Sequence, residues 1–305
     1  MICADKALGG PLGGDRPSSA LLTMTAHQML ATMRGLPPVS PAGLKLIGLL
    51  REREIGNDRV VSVVKEDPVL TAKLLRVCNA PGNGATEPVS SVEYAVLLLG
   101  YEQILQIVTA LAFREFLNYP TVTYDPERAG LWRHSLLAAS AAELAFPECP
   151  GLSTDSSTAF TSALLHDIGK MIISQFLNRE ALLAIRQRLA KGAATFEAER
   201  AVLGTDHAEV GASLLRMWHL PTPITEPVAL HHRPVLAPRP EPSSLTSFAN
   251  RVAHRAEAAL CGSDPGPNQQ DSQLLEALGL TPEQVEGLFN RVCQYSDFGR
   301  LTLTA

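Results

Sequence analysis

The sequence predicts an all-α fold, a helical bundle of two packed lobes, and three observations carry that prediction. Apolar residues recur at helical spacing through most of the chain. Helix-start signatures recur between these segments: Asp67-Pro68, Ser90-Ser91-Val92-Glu93, Asp206-His207-Ala208-Glu209 and Thr281-Pro282-Glu283-Gln284. No segment reads as a strand, because the β-branched run at Val60, Val61, Val63 and Val64 sits between helix caps and Thr121 to Tyr124 sits in loop-like composition.

Residues 1–22 are rich in Gly, Pro and Ser and are expected to be a flexible tail. A short helix is expected from Thr25 to Arg34, ended by Gly35 and Pro37-Pro38, and a second from Ala42 to Glu54, stopped by Gly56. Asn57-Asp58 starts the next, Arg59 to Glu66. Asp67 is a natural N-cap with Pro68 at the first helical position, so a helix follows to about Cys78. Pro81, Gly82 and Gly84 break the chain, and Ser90 to Glu93 fits a capping box that opens Tyr94 to Leu99, with Ile104 to Leu117 helical after Gly100.

Pro120 to Pro126 has the composition of a connection, which divides the chain into lobes at 23–120 and 121–305. Beyond it, helices are expected over Glu127 to Phe146, Thr158 to Leu165, Asn178 to Lys191, Phe196 to Leu203, Asp206 to His219, Pro221 to His232, Ser244 to Leu260 and from Thr281 onward. Ser153, Thr154 and Asp155 offer caps for the second of these, and Gly169 is expected to supply a left-handed residue at its end. Arg233 to Pro242 is too proline-rich to be read as helical, and Gly262 to Gln270 reads as a polar loop.

Net charge is −5, with no run of Lys and Arg and only 5% aromatic residues, so the chain lacks the footprint of a general nucleic-acid binder. Cys3, Cys78, Cys149, Cys261 and Cys293 are odd in number, scattered and without a C-x-x-C pair, as suits a reducing compartment. No apolar stretch approaches the roughly 18 residues of a membrane span and no signal-peptide core precedes the first Gly/Pro breaks. A cytoplasmic protein with no membrane partner is expected.

The chemistry gathers around A-L-L-H-D-I-G-K at Ala163 to Lys170. His166 and Asp167 together suit the first shell of a borderline divalent metal, and equally suit a buried polar pair that satisfies itself. Further ligand types flank them: His134 on a helical segment, His207 at a helix start, the doublet His231-His232, and Asn250. Each has a plainer reading, His134 as a core imidazole, His207 and the doublet as helix-end residues, and Asp167 as the partner of Lys170 one turn on. His27, His219 and His254 match nothing and are read as surface or packing residues, while Trp132 and Trp218 are read as core.

In order along the chain, L-P-P-V at Leu36 to Val39, V-C-N-A at Val77 to Ala80, P-V-S-S-V at Pro88 to Val92, L-L-H-D-I-G-K, D-H-A-E-V-G and H-H-x-P resemble the HDOD branch of the HD phosphohydrolase superfamily, over about Leu36 to Pro234. The resemblance implies an HD-like C-terminal lobe and a metal set in which His134, His166 and Asp167 match the first positions and His207, His231 and His232 the added histidines. Asn250 falls where the superfamily has an Asp, and Arg233-Pro234-Val235 succeeds the doublet where the cyclic-dinucleotide-hydrolysing branch has Gly-Tyr-Pro. The same resemblance implies a cytoplasmic regulatory protein of signal transduction, with a protein partner and a cluster that binds one or two divalent transition metals such as Fe or Mn, or a nucleotide. The alternative is a metal-dependent phosphohydrolase of a nucleotide or cyclic dinucleotide, with Asp167 and Lys170 at the reacting phosphate.

Overall fold

The computed structural model describes residues 23–33, 35, 39–49, 56–80, 87–119, 130–263, 266 and 272–297, and among these every regular element is helical. The N-terminal helices are α1 (Ala26–Thr32), α2 (Pro41–Leu49), α3 (Asn57–Lys65), α4 (Pro68–Cys78), α5 (Val92–Leu99) and α6 (Tyr101–Leu117). After them come α7 (Leu131–Ala145), α8 (Ser156–Leu165), α9 (Gly169–Phe176), α10 (Arg179–Leu189), α11 (Thr195–Leu203), α12 (His207–Met217), α13 (Thr222–Leu230), α14 (Pro240–Leu260), α15 (Ser272–Leu278) and α16 (Pro282–Asp297). The expected tail, the turn at Pro81 to Gly84 and the connection at Pro120 to Pro126 lie outside the described residues.

The caps explain most boundaries. Asp67 accepts from the N–H groups of Val69 and Leu70, Asp155 from Thr158, Asn178 from Ala181 and Asp206 from Glu209, each satisfying donors that the first helical turn leaves open. At α16, Thr281 and Gln284 exchange both capping-box bonds, at 3.3 and 2.8 Å. The box expected at Ser90 to Glu93 forms differently: Ser91 caps α5 by accepting from Tyr94, and Glu93 pairs with Lys65 of α3.

Two expectations are corrected. Helix α14 begins at Pro240, inside the stretch read as too proline-rich, because Pro240 and Pro242 fall in the first turn, where a missing N–H breaks no intrahelical bond. Gly169 is not the left-handed end of α8. It is the first residue of α9, and its backbone φ lies outside the positive region. A Cβ on it would stand 2.0 Å from the His207 carbonyl oxygen and 2.6 Å from the Gly211 nitrogen, so the glycine is required by the crossing of α9 with α12.

Two apolar cores result. One runs from Met29 and Leu46 through Phe113 and Phe116 to Leu164, Ile168, Ile173 and Leu214, joining the N-terminal helices to α8, α9 and α12. At this joint Trp218, just after α12, packs edge-on against Phe116 with ring centres 5.5 Å apart. The other is built where α7, α8, α14, α15 and α16 meet, around Ala138, Ala142, Ala163, Phe248, Ala253, Leu288 and Val292. Its many alanines let α7 approach α8 and α14 closely, which brings His134 and Asn250 to the same depth. Among the described residues no single helix is long and apolar enough to cross a membrane; α5 and α6 pass that test only together, bent by 119°.

Candidate metal centre

His166 and Asp167 lie in the turn between α8 and α9, at the bottom of the α9–α12 crossing. Because Gly169 and Gly211 let the two backbones meet, the His-Asp turn is held against the start of α12, where His207 is the first helical residue. Helix α7 brings His134 to the same point, α13 ends there with His231 and His232, and α14 brings Asn250. All seven residues singled out in the sequence meet in one cluster. His166, Asp167, His207 and His231 are each no more than 1% exposed.

Asp167 is the centre. Its Oδ2 lies 3.5 Å from His134 Nε2 and 3.4 Å from His166 Nε2, and its Oδ1 lies 3.1 Å from His207 Nε2 and 4.0 Å from His231 Nε2. Lys170, partly exposed at the rim, places its ammonium 2.5 Å from Oδ2. His134 Nε2 is also 3.0 Å from Asn250 Oδ1, and His232 Nε2 is 2.8 Å from His207 Nε2. His232 is stacked on Phe196, ring centres 4.6 Å apart.

Each of four imidazoles has its other nitrogen beside an acceptor. His134 Nδ1 faces Glu257 at 3.1 Å, His166 Nδ1 the Ala163 carbonyl at 2.7 Å, His207 Nδ1 Glu199 at 2.6 Å and His231 Nδ1 the Val228 carbonyl at 2.8 Å. Where a ring is neutral, a proton on its Nδ1 satisfies that acceptor and turns the Nε2 lone pair toward the Asp167 carboxylate, an arrangement assigned from the hydrogen-bond partners. Outward bonds of this kind orient metal-ligating histidines. Asp167 Oδ1 and His231 Nε2 are buried without a hydrogen bond, and unsatisfied atoms of this kind are costly unless something else meets them. The imidazole and carboxylate donors therefore fit a divalent transition metal.

The electrostatics divide the cluster. Burial, with the neighbouring histidines, holds His231 and His232 well below the ordinary imidazole range. Burial also lowers His134, against the pull of Glu257. His207 is the exception: burial opposes its charge, but Glu199 and Asp167 overcome it and raise its pKa to about 9. Burial alone would raise Asp167, yet His166 and Lys170 hold it well below the usual carboxylate range.

Three residues of this site escaped the sequence reading. Glu199 on α11 has no local signal; its carboxylate accepts from both the backbone N–H and the ring of His207, eight residues on. Glu257 and His254 carry one: with Asn250 they recur at i, i+4 and i+7 along α14, one helical face. His254, read as a surface or packing residue, stacks on His134 with ring centres 4.3 Å apart and stands 3.5 Å from Glu257.

The HDOD domain family model matches residues 36–234. Among solved structures, the chain is 24% identical to an HDOD domain protein of unknown function from Geobacter sulfurreducens, over 90% of this chain and 89% of that one, with a TM-score of 0.60. A candidate phosphohydrolase from Shewanella amazonensis SB2B is 21% identical over 92% and 97%, with a TM-score of 0.66. A candidate signal transduction protein from Marinobacter aquaeolei VT8 is 20% identical over 94% of this chain and 61% of that one, with a TM-score of 0.69. At these identities the likeness is one of fold. An uncharacterized protein of Treponema pallidum (strain Nichols) is 20% identical over 230 residues, which span 44% of that longer relative.

Proposed function

We propose a function from one premise: this chain belongs to the HDOD domain family. It acts as a regulatory module of signal transduction, in which the His/Asp cluster holds a divalent transition metal as a sensing or structural centre and the helical surface meets a protein partner. The observation that carries this reading is the closure of the cluster, since four of its metal-ligand side chains are essentially inaccessible. Ligand side chains this deeply buried are held rigidly and suit a structural or sensing centre. His134, His166, Asp167, His207 and His231 would hold the metal, with His232 and Asn250 beside them. A bound metal would supply Lewis acidity and lower the pKa of a water. This chain's own contribution weakens that chemistry: Asn250 is neutral where the superfamily has a carboxylate, and the Lys170 ammonium already occupies one oxygen of Asp167.

A second reading rests on the opposite edge of the cluster. Lys170 and His232 are only partly buried and lie at the rim, where a phosphate would meet the ammonium as a point charge. On that reading the chain is a metal-dependent phosphohydrolase of a nucleotide or cyclic dinucleotide; the Shewanella relative carries only the coarser name phosphohydrolase.

Elemental analysis of protein purified anaerobically without chelator, beside Asp167→Ala, tests the first reading: about one or two equivalents of Fe or Mn are expected in the wild type and fewer in the variant. Equal emptiness of both after reconstitution overturns it. Turnover of any of a panel of nucleotides and cyclic dinucleotides with Mn²⁺ supplied moves the assignment to the hydrolase.

A further inference from the structure

We propose that His254, Glu257 and His134 form a second metal site, for a divalent transition metal, on the outer flank of the buried cluster. One donor atom from each of the three lies within 4.8 Å of the other two. Glu257 Oε2 sits between them, 3.1 Å from His134 Nδ1 and 3.5 Å from His254 Nδ1. Two imidazoles and one carboxylate are a donor set that holds divalent iron, cobalt and their neighbours with positions left open. The His254 side chain is 32% exposed, so this donor set can be reached from solvent.

A second observation points to a cation here. Glu257 is 8% exposed, and its Oε1 is buried with no hydrogen-bond partner. A carboxylate oxygen without a donor in such surroundings is costly to keep, and a cation held by this carboxylate would offset that cost. The pair comes from one turn of α14, residues three apart on one face, so the helix fixes their spacing without help from a loop.

His134 belongs to both sites, and its two nitrogens decide which. With the proton on Nδ1 it donates to Glu257 and offers Nε2 inward. With the proton on Nε2 it donates to Asn250 Oδ1, 3.0 Å away, and offers Nδ1 outward. Asn250 thereby gains a role: a neutral amide oxygen accepts that proton, and in the other tautomer its amide N–H can turn to donate instead. A neutral His134 serves one metal at a time, so filling one site weakens the other.

Cobalt(II) is the probe, followed by its visible absorption and by equilibrium dialysis of the full chain. Asp167→Ala removes the centre of the inner cluster and is expected to keep one class of cobalt site; adding His254→Ala to it, or Glu257→Gln, is expected to weaken that class at least about tenfold. Glu257→Gln keeps the shape and can still accept from His134, so a change there reports charge rather than collapse. Absence of cobalt binding in Asp167→Ala, or binding unmoved by both further substitutions, overturns the outer site. Equal cobalt binding by wild type and Asp167→Ala, lost with His254→Ala, instead overturns the inner reading and supports the outer one.

Discussion

His134 Nε2 stands 3.3 Å from His166 Nε2, and each ring has its Nδ1 beside an acceptor, Glu257 and the Ala163 carbonyl respectively. In neutral rings so hydrogen-bonded, two lone pairs face one another. A metal between them removes the repulsion, so binding is coupled to stability. At a free metal concentration one hundred times the dissociation constant the folded state gains about 2.7 kcal/mol. Thermal unfolding of metal-free protein is therefore expected to shift upward on adding Mn²⁺ or Fe²⁺, and by less in Asp167→Ala, which lacks the inner site; an unchanged wild-type midpoint would count against the inner site.

The α9–α12 crossing has no room for a methyl group at Gly169. Gly169→Ala forces its Cβ into the His207 carbonyl, whereas the Cβ of Gly211→Ala meets the Gly169 nitrogen at 3.0 Å and a movable Ile168 methyl at 3.1 Å. Overpacking of well-packed interiors costs about 1–3 kcal/mol, and Gly169→Ala should lie at or above the top of that range with Gly211→Ala below it. Chemical denaturation of both variants checks the order. The inner site should loosen with Gly169→Ala even where the fold survives.

In metal-free protein His207 should make stability fall at alkaline pH. Its folded pKa is about 9 against an ordinary 6.5, so the folded state holds a proton that the unfolded chain releases. The stabilisation is full below 6.5 and is lost as pH rises toward 9. Burial depresses His134, His231 and His232, which oppose folding once pH drops below their ordinary value. Burial would raise Glu257, but His134 and His254 overcome it and lower its pKa from 4.5 to about 2, so it contributes stability that fades as pH falls through that interval. Midpoints measured from about pH 6 to about 9.5 should decline in the wild type and flatten in Glu199→Gln, which removes the charge that raises His207; parallel curves would refute the assignment.

Asn250→Asp puts a negative charge 3.0 Å from His134 Nε2. The inner metal should bind about tenfold more tightly or better, since an added charge or hydrogen bond at the edge of a metal shell moves affinity by about 10–100-fold. The outer site should weaken in the same variant only as the inner one fills, because a carboxylate at 250 accepts from Nε2–H and by itself turns His134 Nδ1 outward. Competition titrations with a chelating dye measure both.

Most helices were legible because their signals are local, whereas α9 and α15 were not expected. Asp67, Asp155, Asn178 and Asp206 each cap the helix expected of them, and a cap involves only the next three residues. Pro240 and Gly169 were misread because their roles depend on place: a proline is tolerated when the helix happens to begin there, and the glycine answers to a backbone some forty residues away. The histidines of the site could be found by type and order. Glu199 could not, since it reaches His207 only after α11 folds back along α12, and Glu257 was hidden behind a histidine that matched no pattern.

Helix α12 carries His207 at one end, and just past its other end Trp218 rests on Phe113 and Phe116 of α6. Eleven residues of α-helix make a rod about 16 Å long. Rods of this kind bend far more readily than they shorten, so α12 fixes the distance between the Trp218 joint with α6 and His207. The joint with the N-terminal helices and the cluster around Asp167 are therefore the two ends of one stiff element.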